Sequence, residues 1–241
     1  MAFDASSSTT QRVRVWDLAT RAFHWLLVGL VVFLFVSGKT GGNLMVWHSQ
    51  AGALVLALLV FRVVWGVIGS STARFRAFVV GPKQVWVFAR QLLGMPAQQT
   101  ATPAEDVATT VIGHNPLGGW MVVVLLLLLT IQVSTGLFAN DDIAMEGPWA
   151  VHISKALSDR LTTVHRWNQW ILLGCIAIHL LGVAFHVFIK KENLISAMIS
   201  GVRKIDGSVQ VSVLRFVSVW IALLVFVLAL VVVGFVVQPI F

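Results

Sequence analysis

Apolar residues fall along this chain in five long blocks, at 18–38, 46–69, 117–138, 163–189 and 213–238. Each is long enough to cross about 30 Å of hydrocarbon as a helix. The longest connection, 70–115, lies between the second and third blocks. In it, Pro82 followed by KQVWVFARQLL and Gly94 carries helix start and stop signals and reads as a short interfacial helix. MPAQQTATPAEDVATT is a polar linker, and Asn115 with Pro116 reads as an N-cap and first helical position opening the third block. The segment 140–162 holds a Gly147-Pro148 break and a short amphipathic piece, ISKALSDRL. The fifth block has no polar group in its middle and reads as an anchor or partner-packing helix. No internal repeat is visible.

Composition makes these blocks membrane spans. The chain is 58% hydrophobic and 11% charged over 241 residues, far from an ordinary soluble domain. The fold class expected is an all-α integral membrane protein. The net charge of +7 does not point to nucleic acid, because the basic residues sit in loops and helix ends. They instead set orientation. Arg12, Arg14 and Arg21, then Arg74, Arg76, Lys83 and Arg90, then Lys190, Lys191, Arg203, Lys204 and Arg215 flank alternate ends of the spans. The opposite loops hold only Lys39, Lys155 and Arg160 beside four acidic residues. The N-terminus is therefore expected in the cytoplasm and the C-terminus outside. The polar start MAFDASSSTTQRVR lacks the apolar core of a cleavable signal peptide. One cysteine, Cys175, excludes an intrachain disulfide, and no Cys-x-x-Cys-His is present for covalent haem. With no Tyr, the interfacial belt falls to the ten Trp and some Phe.

The candidate chemistry lies in the fourth span, VHRWNQWILLGCIAIHLLGVAFHVFIK, which carries His165, His179 and His186. Ionisable groups inside a span are costly and mark function. His165 and His179 are 14 residues apart, roughly 21 Å along a helix and back on nearly the same face. Two imidazoles on one stripe, one near each side of the bilayer, suit the axial positions of two haems. By orientation, His48 in the second span matches the depth of His165 on the outer side, and His24 in the first span matches His179 on the cytoplasmic side. His186, on the same stripe, is an alternative to His179. A 165–186 spacing of about 31 Å is long for two sites in one bilayer, so His186 is read as a supporting or quinone-side residue.

Other features divide between site and scaffold. Arg62 lies 14 residues after His48 on one helix face, at the level of the inner pair. There it can meet a haem propionate or snorkel. Arg166 is the corresponding candidate on the outer side. His114 lies near the cytoplasmic ends, where a propionate or quinone is in reach, or it simply ends a loop. His152 reads as a surface histidine. Gly38, Gly52, Gly66, Gly136, Gly174 and Gly182 allow close approach of a helix or a flat macrocycle. Cys175 reads as a small core residue. Hydrogen-bonded structural histidines are the plain alternative for any one imidazole.

The stretches WDLATRAFHW at 16–25, HSQAGALVLALLVFRVVWGVIGS at 48–70, GHNPLGGWM at 113–121, STGLF at 134–138, VHRW at 164–167 and HLLGVAFHVFIKKENLISAMISGVRK at 179–204 together resemble the bacterial di-haem b-type cytochromes. These are the membrane cytochrome b subunits of nickel-iron hydrogenases and formate dehydrogenases, and their stand-alone relatives. The resemblance implies a four-helix transmembrane haem-binding bundle over 18–204, after a cytoplasmic tail at 1–17. Here 205–241 adds a fifth, C-terminal helix beyond that core, which offers an oligomer contact. It implies His24, His48, His165 and His179 as iron ligands of two non-covalent b haems. It also implies electron exchange between ubiquinone or menaquinone and a periplasmic redox partner, in the cell inner membrane. WGVIGS…ARF and ENLISAM look like members without an attached hydrogenase, which favours a periplasmic c-type cytochrome over a hydrogenase or dehydrogenase. Bis-histidine iron has no open position, so no substrate chemistry at iron is expected. One rival is a stand-alone enzyme passing electrons from superoxide to ubiquinone, steered by Lys39, Lys155, Arg160 and Arg166. A haem-free transporter using histidines as proton relays is the other.

Overall fold

The computed structural model describes residues 10–92, 95, 113–143, 145–206 and 213–237. The expected stop at Gly94, most of the polar linker and the first nine residues of the tail lie outside these. In order, the elements are β1 (Thr10–Arg14), α1 (Leu18–Thr40), α2 (Leu44–Ile68), two 3₁₀ turns (Ser71–Ala73 and Phe75–Ala77) and α3 (Pro82–Leu92). Then come α4 (Pro116–Gly136), a 3₁₀ turn (Ala150–His152), α5 (Lys155–Ala184) running into a π-turn (Phe185–Ile189), α6 (Leu194–Ser200), β2 (Val202–Asp206) and α7 (Val219–Val237). Among the described residues, five helices are long and apolar enough to cross a membrane: α1, α2, α4, α5 with its π-turn, and α7.

The helices begin where capping chemistry allows. Asp17 accepts the Thr20 N–H at 2.6 Å to start α1, and Asn115 accepts Gly118 N–H at 2.7 Å, with Pro116 following, to start α4. The fourth span starts earlier than its apolar run, at Lys155, because Ser154 caps Leu157 N–H. ISKALSDRL is thus no separate amphipathic piece; most of it forms the first turns of α5. The fifth span starts later than expected. Residues 213–218 run extended along the second helix's exit, where Ser71 and Arg215 exchange backbone and side-chain hydrogen bonds and Ser70 Oγ accepts Val217 N–H.

Helix α2 is the centre of the packing, with α1, α4 and α7 all against it, while α5 packs against α4. Phe61 and Trp65 of α2 stack at 5.7 Å within a buried cluster that includes Phe23 of α1 and Ala222 and Ala229 of α7. A second cluster joins Val55 and Leu59 to Leu129, Val133 and Leu172. Trp25, Trp167 and Trp220 remain exposed on outward faces, as lipid-facing aromatics do.

One end of the molecule gathers the basic residues. There β1 pairs antiparallel with β2, Arg12 opposite Lys204 and Arg14 opposite Val202, a ribbon that the short basic segments gave no sign of. Gly201, at φ +81°, ends α6 and lies against the Trp16 carbonyl and the Arg21 guanidinium, a place that suits glycine alone. At the far end, residues 137–143 and 145–153 fold over the helix ends. Gly147 N–H donates to the Ala139 carbonyl, and a Cβ on Gly147 would run into the Leu137 and Gly136 carbonyls.

Candidate functional site

His48, near the start of α2, and His165, in α5, face each other at the far end with ring centroids 6.3 Å apart and planes at 71°. Each ring is seated by the last turns of a neighbouring helix in the same way. Against His165, α4 supplies the Gln132 carbonyl at 2.8 Å from Nδ1, the Thr135 hydroxyl at 3.4 Å, and Gly136, whose Cβ would sit 3.0 Å from Cε1. Against His48, α1 supplies a backbone hydrogen bond from Leu34, the Ser37 hydroxyl 3.0 Å from Nδ1, and Gly38, whose Cβ would sit 3.1 Å from Cε1. Carbonyl at −4, hydroxyl at −1, glycine at 0: the two helices present one device twice.

The chemistry follows from the acceptors. The Gln132 carbonyl can only accept from His165 Nδ1, and Ser37 Oγ, whose proton goes to the Phe33 carbonyl, accepts from His48 Nδ1. Each Nδ1 therefore carries the proton and each Nε2 keeps its lone pair, the tautomer a metal-binding imidazole needs. Two imidazoles sharing one iron through nitrogens about 2 Å from it put their centroids about 6 Å apart, close to the spacing observed. Around them lies a cavity of about 680 Å³, lined by residues that include Val31, Leu34, Gly52, Leu129 and Trp170. That volume and apolar lining suit a large flat cofactor. Buried Asn168 donates to Gln132 Oε1 (2.7 Å) and to the Leu128 carbonyl (2.9 Å), holding α4 and α5 in register beside the site. Arg166 also lines the cavity but is exposed.

The basic end is built differently. His24 of α1 and His179 of α5 are half-buried near one another, and His24 Nδ1 is enclosed without a hydrogen-bond partner. Arg62, at 4% exposure, lies below them, its guanidinium 4.8 Å over the Phe75 ring and 5.9 Å over Phe78. His114 packs between Trp16 (4.7 Å) and the same Phe78 (4.8 Å). Burial first, then the Arg62 guanidinium and the rings of His179 and His24, hold the His114 pKa far below that of a free imidazole, so the ring is neutral. Arg62 Nη1 and His114 Nδ1 are both enclosed and unpartnered. Two glycines shape this box. A side chain on Gly66 would strike the Phe75 ring, and one on Gly119 would strike the Phe78 carbonyl.

His186 is engaged elsewhere. In the π-turn, its Nδ1 lies 3.0 Å from Glu192 Oε2 and its Nε2 lies 3.1 Å from Asn115 Nδ2. Glu192 also pairs with Arg203 at 3.0 Å. Because Asn115 Oδ1 is committed to Gly118 N–H, its amide must donate to His186 Nε2, which fixes the proton on Nδ1. Both ring nitrogens are engaged. His152 is exposed in its turn, and Cys175 is a half-buried free thiol. The residues that sequence reasoning missed are Ser37, Thr135, Gln132 and Asn168. Their signal was a hydroxyl directly before a glycine at the ends of two spans, Ser37-Gly38 and Thr135-Gly136, plus polar amides in apolar runs.

Residues 15–201 match the profile of a family described as prokaryotic cytochrome b561. The chain is 23% identical over 218 residues to a "Probable Ni/Fe-hydrogenase B-type cytochrome subunit" of Rhizobium leguminosarum bv. viciae, covering 80% of this chain and 89% of that protein. Proteins with the same description from Azotobacter chroococcum (25% over 221 residues; 79% and 88%) and Cupriavidus necator (21% over 224; 83% and 90%) are similarly related. No solved structure matches the chain significantly. The matched region ends at Gly201, before α7.

Proposed function

The chain belongs to the prokaryotic cytochrome b561 family; it is a multi-pass b-type cytochrome of the bacterial inner membrane that moves electrons across the bilayer, and we propose that it does so through two bis-histidine haems. The observation that carries this is the His48–His165 pair, two imidazoles with Nδ1 held by an acceptor on a neighbouring helix, at the separation one iron requires, beside a cavity of cofactor size. His24 and His179 are the ligands of the second site. Bound b haem supplies one-electron chemistry at its iron. The protein sets the geometry: α5 contributes one ligand to each site, α1 and α2 contribute the other two, and apolar walls exclude water. The fold is then a four-helix haem bundle, 18–204, with α7 as an added fifth helix.

In the proposed orientation the basic end faces the cytoplasm, in keeping with its positive charge, and the C-terminus is periplasmic. Electrons pass between the quinone pool and a redox protein on the periplasmic face. The relatives' description supports a hydrogenase as that protein, with a c-type cytochrome as the other class. Arg166, at the mouth of the far-end cavity, is positioned to meet a haem carboxylate. His186, with its Glu192–Arg203 chain reaching the basic end, is the quinone-side residue. Direct oxidation of superoxide is less favoured, because Lys155 on the far face is ion-paired with Asp142 and Asp159. Pyridine haemochromogen assay of the purified chain should give two b haems, with a b-type alpha band on dithionite reduction. One haem or none per chain overturns the proposal.

A further inference from the structure

Arg62 and His114 meet in an enclosure where the nearest opposite charge is the buried carboxylate of Asp17. Arg62 is almost completely buried, and its Nη1 has no acceptor. The Asp17 carboxylate favours the guanidinium charge from nearby but makes no hydrogen bond to Nη1; its oxygens accept from Thr20 N–H at 2.6 Å and Trp65 Nε1–H at 3.3 Å. His114 Nδ1 is enclosed and unpartnered beside it. The walls are the rings of Trp16, Phe75 and Phe78, brought there by a loop that fits only because residues 66 and 119 are glycine. Leaving a guanidinium buried without an acceptor is expensive, and so is an enclosed polar nitrogen. A structure that keeps both in one aromatic box, next to two histidines, has shaped a place for an anion.

We propose that Arg62 and His114 together bind a propionate carboxylate of the haem held by His24 and His179, His114 being the second member of a clamp whose first is Arg62. This rests on the two-haem reading and adds to it a specific carboxylate site. The chemical logic is that of charge-assisted hydrogen bonding: a planar guanidinium presents its N–H groups to a carboxylate far more strongly than to a neutral oxygen. The clamp also biases electron transfer. A fixed positive charge near the iron favours the reduced state, so this haem takes up electrons more readily than it would without Arg62.

The test is an optical redox titration of the purified two-haem protein with Arg62→Gln, Arg62→Lys and His114→Asn, together with redox-difference infrared spectra using haem labelled with 13C in the propionates. In Arg62→Gln, the reduced-to-oxidised ratio of one haem at a fixed potential should fall about tenfold or more, with the other haem unmoved. Arg62→Lys should recover part of the shift. His114→Asn should move the same haem by less, and the labelled carboxylate band should shift in both Arg62→Gln and His114→Asn. Unchanged potentials and unchanged carboxylate bands in all three variants overturn the proposal. So does a change confined to quinone reactivity, which would make the box a quinone-oxygen site. The haem count of the unsubstituted protein separately decides whether the two-haem reading stands. If Arg62→Gln fails to assemble, Arg62→Lys and His114→Asn still decide.

Discussion

The two histidine pairs share one helix, α5, which supplies a member to each, yet the protein prepares them differently. At the far end, both rings have Nδ1 engaged by a neighbouring helix and a cavity already open around them. At the basic end, His24 Nδ1, Arg62 Nη1 and His114 Nδ1 are enclosed with no partner. The far site is organised by protein–protein hydrogen bonds, while the basic site holds polar groups that no protein atom satisfies. Preorganisation and dependence on the ligand are thus placed on opposite sides of one bundle.

The contrast can be broken most directly at the ligands. On the two-haem proposal, in which four imidazoles serve two irons, His165→Ala or His48→Ala should remove about half of the bound haem and leave the second chromophore intact. His24→Ala or His179→Ala should remove the other. Haem per chain and the low-temperature alpha band distinguish them. Loss of both chromophores from every variant would dissolve the distinction.

Next in size are the seats. Gly136→Val and Gly38→Val place carbon against a ligand ring that has little room to retreat, so the far-end haem should be retained poorly through purification. Gly174→Ala, with open space around it, should bind haem normally. A smaller effect is expected from the hydroxyls. Ser37→Ala or Thr135→Val removes one neighbour of Nδ1 while the carbonyl remains, a change of about 1 kcal/mol, seen as a several-fold shift in the far-end haem's reduced fraction. The smallest should come from Lys155→Ala. Its ion pairs with Asp142 and Asp159 lie on the open surface, where such pairs contribute little, and both haem titrations should superimpose on the original.

What the sequence disclosed depended on how conspicuous each group is. Imidazoles and a guanidinium inside apolar runs stand out, so His24, His48, His165, His179 and Arg62 were all readable candidates. The five spans were readable because their apolar content is continuous. The start of α5 was not, because KALSDR looks like a surface piece until Ser158 Oγ is seen donating to the Phe138 carbonyl and accepting from Asn140. Nor was the role of Ser37 and Thr135. A hydroxyl in a membrane helix usually bonds its own preceding turn, as both also do here, and only the approach of a ring from another helix gives it a second task. His114 was ambiguous for a similar reason. Its neighbours Trp16 and Phe78 come from segments distant in the chain.

The small ribbon at the basic end has a bearing on biosynthesis. β1 leaves the ribosome ahead of α1, and β2 only after α6. The clasp therefore cannot fasten until the three helices that bear the four histidines, and α4 between them, have been synthesised. Until that moment the basic end of the nascent bundle stays unlatched, which gives a porphyrin arriving at that end an interval in which to enter before the ends are tied together.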